Sequence, residues 1–420
     1  VKSSGGPIRL IQLDVLRSVA VFLVMFRHIA LGKDNAGLNG LVDWMNAQPT
    51  DLAHFPIVAV RSLYQCGWAG VDLFFVLSGY LVSGLLFREY VKYKDMRVGR
   101  FLFRRGLKIY PAFYVFLGVG AVATMVVGAH KQLAAWICEA TFFQNYGPNI
   151  WGHTWSLAVE EHFYIMLAIL LWAMAKRGGD NPFRSLPWIF LGVTVAVTSA
   201  RVATAMIHPE LEHKVHYFPT HLRVDALFFG VLLSYLQHFE PQRLAFFKTH
   251  GKKVALVSAL LVAPTLFFNQ LTMPMYLVFL PLLYLGCGGL LMTAVSSDRF
   301  DAKPWRYVTR PMAFVGVHSY SIYLWHAAVL VIVLPIVAKV LRRFAHIEQL
   351  GWSAEAVIYV IGCIVIGIGM AKLVEVPVLK LRDRKLPART VEPVAPVTAA
   401  SEPPEASDAA VATPRATGTG

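Results

Sequence analysis

Residues 70–108 read GVDLFFVLSGYLVSGLLFREYVKYKDMRVGRFLFRRGLK. The first eighteen carry a single charge, Asp72, and nearly reach the ~20 apolar residues a helix needs to cross a bilayer core. The next 21, from Arg88 to Lys108, carry eight cations. An apolar run that ends on a block of Lys and Arg reads as a transmembrane helix whose flank stays in the cytoplasm. The same density extends along the chain. Of 420 residues 56% are hydrophobic and only 15% charged, with mean hydropathy +0.53, whereas a soluble domain is about a quarter charged. A water-soluble globule is excluded.

Runs of similar length recur near 15–31, 67–87, 109–128, 155–175, 186–206, 221–238, 254–270, 273–295, 312–338 and 354–376. The expected fold is therefore all-α, a polytopic bundle of about ten transmembrane helices within residues 1–390. The weakest run is 221–238, which carries Arg223 and Asp225. The first is not a cleaved signal peptide, because Arg27 and His28 interrupt its end and no small-residue cleavage site follows. Inner segments hold 26 Lys and Arg when both termini are cytoplasmic, against seven in the outer loops. That asymmetry sets the expected orientation, in the inner membrane of a bacterial cell. The 39 basic residues exceed the 25 acidic ones, but they lie between apolar runs rather than in one stripe, so no nucleic-acid partner is expected. From residue 391 the chain is Pro-rich, without aromatics or periodicity, and reads as a disordered cytoplasmic tail over 391–420. Four cysteines without a C-x-x-C pair offer no zinc site, and no metal is expected. Cys66 and Cys138 both fall on the outer side, where an oxidising compartment could join them.

Ionisable groups within apolar runs are expensive and usually mark a pathway, a pairing or chemistry. Arg17 and His28 are eleven residues apart, almost three helical turns, which puts both on one face about 16 Å apart along the axis. Each alone has a plainer reading: Arg17 as a cation snorkelling to the interface, His28 as a hydrogen-bonded packing residue. Asp72 opens the second run, Trp155, Glu160 and Glu161 the fourth, Arg223 and Asp225 the sixth, and His326 lies in the ninth. His28, Asp72, Glu160, Glu161, Arg223 and Asp225 all fall in the outer half of the expected map, so one shared polar cavity is the economical reading. The plainer one is that Glu161 and Arg223 pair to hold two helices together. On the cytoplasmic flank, the guanidinium forks of Arg104 and Arg105, with Lys108 a turn further on, suit a ligand with several phosphates. The competing reading is a topology signal that also attracts anionic lipid headgroups.

Taken in order, LDVLRSVAVFLVMFRH, GVDLFFVLSGYLVSGLLF, RRGLKIYP, TWSLAVEEHFY, RVDALFFG, SYSIYLWH and VEVPVLKL resemble the acyltransferase-3 family of integral-membrane O-acyltransferases, over about residues 10–385. The resemblance implies transfer of an acyl group, commonly acetyl from acetyl-CoA, to a hydroxyl of a glycan or another secondary product. It implies His28 as the catalytic histidine of an Arg-ten-residues-His pattern with Arg17. It places the basic donor element on Arg105 and Lys108, where lysine replaces the family's second arginine, and the acidic motif on Glu160 and Glu161. Many relatives add an esterase-like SGNH domain; this chain is expected to be a stand-alone membrane domain.

A histidine within reach of an acceptor hydroxyl can remove its proton as it attacks a thioester. His28 is the first choice, with Asp72 or Glu161 orienting its ring and Arg223 or a tyrosine donating to the oxyanion. His28 could instead carry the acyl group transiently. Trp155, Glu160, Arg223, Asp225 and His326 are the expected acceptor-side residues, and Arg104, Arg105 and Lys108 those for acyl-CoA. The expected partners are a cell-envelope glycan or related acceptor and membrane lipid; the sequence leaves the oligomeric state open. The rival reading is a transporter or flippase for a glycan or lipid-linked intermediate. It is weakened because no pair of Gly/Pro-broken spans occupies matching halves.

Overall fold

The computed structural model describes residues 10–29, 36–48, 55–129, 131–346 and 350–387. The expected tail from residue 391 lies outside them, as do Lys2, Arg9, Lys33 and Arg389 of the charge count. The described residues form helices and turns without a strand.

In chain order the principal helices are α1 (Ile11–His28), α2 (Ala36–Ala47), α3 (Phe55–Cys66), α4 (Ala69–Tyr93), α5 (Val98–Val126), α6 (Leu133–Ala140), α7 (Trp155–Ala175), α8 (Leu186–Ile207) and α9 (Val224–Phe239). They continue as α10 (Gly251–Val262), α11 (Met275–Val295), α12 (Arg306–Val317), α13 (Ser319–Ala345) and α14 (Trp352–Lys385). Every one of the ten apolar runs falls on a helix. Seven helices (α4, α5, α7 with its leading turn, α8, α11, α13 and α14) are long and apolar enough to cross a membrane, and the protein is a polytopic all-α membrane protein. The other three runs fall short for local reasons. α1 has 18 residues but carries Asp14, Arg17 and Arg27. α9 is 16 residues long. The 254–270 run divides at Ala263, where Pro264 starts a separate turn because its ring removes a backbone donor. The 312–338 run is also divided, at His318, between α12 and α13.

Two glycines set the helix pair that positions the polar groups. A Cβ at Gly79 of α4 would lie 1.9 Å from the Leu227 carbonyl oxygen, and one at Gly230 of α9 would lie 2.2 Å from that of Val76. Only glycine permits this backbone approach, the small-residue packing typical of helices in lipid. Asp72 precedes Gly79 by seven residues and Arg223 precedes Gly230 by seven. In a parallel pair that equal offset of two turns brings Asp72 opposite Arg223.

α1 packs on α4, α12 and α13, so its end is enclosed by the bundle. At the opposite side α5 is tied to the end of α14: Arg104 Nη2 donates to Asp383 Oδ1 at 2.9 Å and Nη1 to the Leu386 carbonyl. Cys66 and Cys138 are both free thiols, which corrects the expected pairing. They sit on separate helices, and Cys66 bonds back to the Leu63 carbonyl of its own helix.

Candidate active site

Two cavities among the described residues carry ionisable side chains in their lining, and a third, about 280 Å³, is apolar apart from the Tyr359 hydroxyl. The larger, about 1520 Å³, includes His28, His153, His213, Trp155, Arg223 and Tyr323 in its lining. The smaller, about 110 Å³, includes Arg17, Arg105, Lys108, Glu160, Glu161 and Tyr323. Tyr323 therefore belongs to both walls.

Three histidines meet beside the larger cavity: His28 and His153 line it, whereas His326, expected on the acceptor side, is fully buried behind them. His28 ends α1, His326 lies two turns into α13, and His153 sits in the turn before α7. That turn is fixed by Glu139, a fully buried carboxylate that accepts from the Thr154 hydroxyl and from the Ile150 N–H at 3.0 Å. His28 Nδ1 and His326 Nε2 are 3.0 Å apart. The other nitrogen of His326, Nδ1, bonds the Tyr323 carbonyl. A carbonyl only accepts, so His326 Nδ1 carries a proton. A neutral His326 then presents a bare Nε2, and His28 Nδ1–H must be the donor to it. This leaves the lone pair of His28 on Nε2 for the cavity. His153 Nε2 likewise donates to the Leu324 carbonyl at 3.2 Å, and its ring lies edge-on to His326 with centroids 4.7 Å apart.

Beside the histidines lie two buried ion pairs. Arg223 Nη2 reaches Asp72 Oδ1 at 2.8 Å, and Arg201 Nη2 reaches Asp225 Oδ1 at 2.9 Å. Arg201 also donates through Nε and Nη2 to the Leu222 carbonyl, at 3.0 and 2.8 Å, fixing the turn that delivers Arg223. The Arg223 guanidinium lies 5.7 to 5.8 Å from the ring centres of Phe75, Trp155 and Tyr217, and its buried Nε and Nη1 have no hydrogen-bond partner among the described residues. Arg223 thus brings to the cavity lining a positive charge enclosed by three rings.

The smaller cavity is built around Arg105. Its guanidinium lies over the Tyr164 ring at 4.2 Å, bonds the Tyr164 hydroxyl, and stands 3.9 Å from Glu160 Oε2. Tyr164 also bonds Glu160 and shares a 2.6 Å contact with Ser78; Tyr110 donates to Glu161 at 2.9 Å. The partition between the cavities is a short chain of contacts. The Tyr323 hydroxyl donates to the His153 carbonyl at 2.7 Å and lies 2.6 Å from Ser156 Oγ.

The six outer-half residues therefore do not share one cavity. Glu160 and Glu161 lie more than a turn beyond Trp155 along α7, about 8 Å, and so fall past the Ser156–Tyr323 contact into the smaller space. Arg223 pairs with Asp72, not Glu161, and Asp225 is taken by Arg201. The ring partner of His28 is His326 rather than a carboxylate. Arg17 and His28 open onto different cavities, with Arg17 2.9 Å from Asp14. Arg105 and Lys108 line the smaller cavity, whereas Arg104 is held by Asp383 and Leu386. Residue-by-residue reading missed Arg201, His153 and Glu139. Arg201 was visible as the one cation of the 186–206 run, and His153 stands two residues before Trp155; Glu139 carried no signal.

The fold and site define a helical integral-membrane protein with a histidine cluster beside one cavity and a pocket of paired cations and carboxylates behind it. The family described as "Acyltransferase domain", acyltransferase-3, matches residues 10–372, and the chain belongs to it. Among similar proteins is the "Putative O-acetyltransferase" of Staphylococcus aureus (strain COL), 30% identical over 290 residues, which are 63% of this chain and 46% of that protein. The peptidoglycan O-acetyltransferase OatA of Listeria monocytogenes serovar 1/2a is 26% identical over 290 residues, covering 64% of this chain and 46% of its own length. The O-acetyltransferase OatA of Staphylococcus aureus (strain NCTC 8325 / PS 47) is 24% identical over 289 residues, with coverage of 64% and 46%. The chain thus spans about half the length of these curated relatives. No solved structure matches it.

Proposed function

We propose that this protein is a membrane O-acyltransferase that moves an acyl group, acetyl as the first choice, from acyl-CoA to a hydroxyl of a cell-envelope glycan, with both termini in the cytoplasm. The observation that carries the reading is the tautomer chain Tyr323 carbonyl, His326, His28, which leaves a basic nitrogen facing the larger cavity. The names of the relatives, two of them OatA proteins, support a glycan acceptor.

The acceptor hydroxyl gives its proton to His28 Nε2 as its oxygen bonds the acyl carbon. The carbon–sulfur bond then breaks, and the proton leaves with the CoA thiol. His326 steadies the imidazolium by accepting from Nδ1–H, a neutral counterpart of the carboxylate in a Ser-His-Asp triad. Arg223, which lines the larger cavity, supplies positive charge where negative charge develops on the acyl oxygen. The donor side is the smaller cavity. At about 110 Å³ it lies well below the ~300 to 1,000 Å³ of ordinary ligand pockets, so it takes the thioester end, with Arg105 and Lys108 of its lining the cations nearest to hand for donor phosphates. Tyr323 and Ser156 stand between thioester and acceptor, and the acyl group passes at that contact.

The test is reconstitution of the protein in proteoliposomes with labelled acetyl-CoA outside and envelope glycan fragments inside. Alkali-labile label on the glycan is the expected result. Release of unmodified glycan from otherwise intact vesicles, without any ester, would favour the transporter reading and overturn this one.

A further inference from the structure

The larger cavity is not lined like a site for a wholly water-soluble ligand. The histidines and Arg223 lie on one part of the lining, whereas the walls contributed by α5 and the outer half of α13 are aliphatic apart from Thr124 and Lys339. On α5, Val115, Val119, Val122 and Val126 follow one another at helical spacing and form one stripe. The same valines are 38 to 80% exposed, rising toward the end of α5, and Val331 and Ile336 of α13 are 48 and 56% exposed. One stripe that both lines the cavity and faces the surroundings is the edge of an opening. α5 and α13 meet where the Tyr320 hydroxyl donates to the Ile109 carbonyl at 2.8 Å; beyond that point they frame the cavity. In a bilayer such an opening faces lipid.

Charge supplies the second constraint. Arg27, Lys131, Arg223 and Lys339 all line this cavity, and among the described residues no Asp or Glu does. Arg223 is balanced by Asp72 behind it, and Arg27 rests on the Tyr64 ring 5.1 Å away, so Arg27, Lys131 and Lys339 leave the lining positive. A polar end with a base, an aliphatic side exit and excess positive charge together fit one kind of molecule.

Resting on the acyltransferase reading, we infer that the acceptor is an anionic amphiphile: a hydroxyl-bearing sugar joined through a phosphate to a hydrocarbon chain, which leaves the cavity sideways between α5 and α13 while the sugar hydroxyl meets His28. The alternative occupant of the same opening is ordinary anionic phospholipid with no part in the reaction.

The probes are N-acetylglucosamine 1-phosphate esterified with methyl or with dodecyl, the latter also with a diazirine in its chain, and a diazirine phosphatidylglycerol. All are offered to the whole protein in phosphatidylcholine nanodiscs. The dodecyl diazirine is expected to mark residues 115–127 and 331–336, with the unlabelled dodecyl ester competing and the methyl ester not. In acetyl transfer the dodecyl ester should have a KM at least tenfold below the methyl ester. Val122→Trp, which fills the opening, should raise the KM of the dodecyl ester to that of the methyl ester, an effect that partition into the nanodisc does not mimic. Equal marking by the phosphatidylglycerol probe, uncompeted by the dodecyl ester, would overturn the proposal in favour of bilayer lipid. Equal transfer to both esters without marking at the opening would overturn it while keeping the transferase. Marking without any ester product would remove the transferase reading and the acceptor role with it.

Discussion

His326→Phe is the substitution that tests the histidine relay most directly. Phenylalanine keeps an aromatic ring against His28 and His153, whose centroids lie 5.0 and 4.7 Å from that of His326, but it offers no acceptor to His28 Nδ1–H. In the resting enzyme the lost bond is neutral, worth about 0.5 to 1.5 kcal/mol; once His28 is protonated it is a bond to a charged group, worth about 1.5 to 3 kcal/mol. The difference, about 1 to 1.5 kcal/mol, is stabilisation present only in the transition state. Releasing His28 to adopt the other tautomer adds to it, so kcat should fall about 10- to 100-fold with KM nearly unchanged. His28→Ala, which removes the base itself, should cost about 10² to 10⁴. The assay is initial-rate acetyl transfer at saturating donor, with size-exclusion profile and thermal melting confirming that each variant is folded. A folded His326→Phe enzyme with kcat within twofold of the parent would refute the relay.

Arg105→Gln should raise KM for acetyl-CoA tenfold or more. Arg104→Gln should instead lower the melting temperature with little change in KM, because Arg104 is tied to Asp383 and Leu386; steady-state kinetics and thermal melting of the two variants separate these outcomes. Asp72→Ala strands the buried Arg223 cation and should destabilise the protein by about 3 to 5 kcal/mol, whereas Asp72→Ala with Arg223→Met should recover much of the loss in a chemical-denaturation double-mutant cycle. Reporter fusions ending near residue 95 should read as cytoplasmic and those near residue 140 as extracytoplasmic, and the reverse pattern would invert the proposed orientation.

The apolar runs were legible because lipid imposes a single demand, about 20 residues without charge, and the chain meets it repeatedly. Residues 254–270 misled for a local reason: hydropathy does not register the backbone break that Pro264 introduces. The ionisable residues were legible one by one for the same energetic reason, since a charge in lipid stands out against its neighbours. Their grouping was not. Which carboxylate meets which arginine depends on helix register, and the register of α4 and α9 is set by Gly79 and Gly230, which carry no chemical signal. Depth along α7 could be counted, yet the partition that separates Glu160 from Trp155 and His28 is made by Tyr323 of a distant helix. His326 was readable as a candidate, but its role as partner to His28 rests on a contact spanning 298 residues of chain.

The close approach of α4 and α9 changes how natural and engineered variation in this protein should be interpreted. In a saturation scan scored by activity, alanine at Gly79 or Gly230 would drop out as sharply as a substitution of His28, because a single methyl group must push one backbone away from the other. Positions that touch no substrate would thus score as if they were chemical. The discriminating signature lies in the pattern across amino acids: at His28 the failures should follow loss of a basic nitrogen, and at the two glycines they should follow side-chain volume alone.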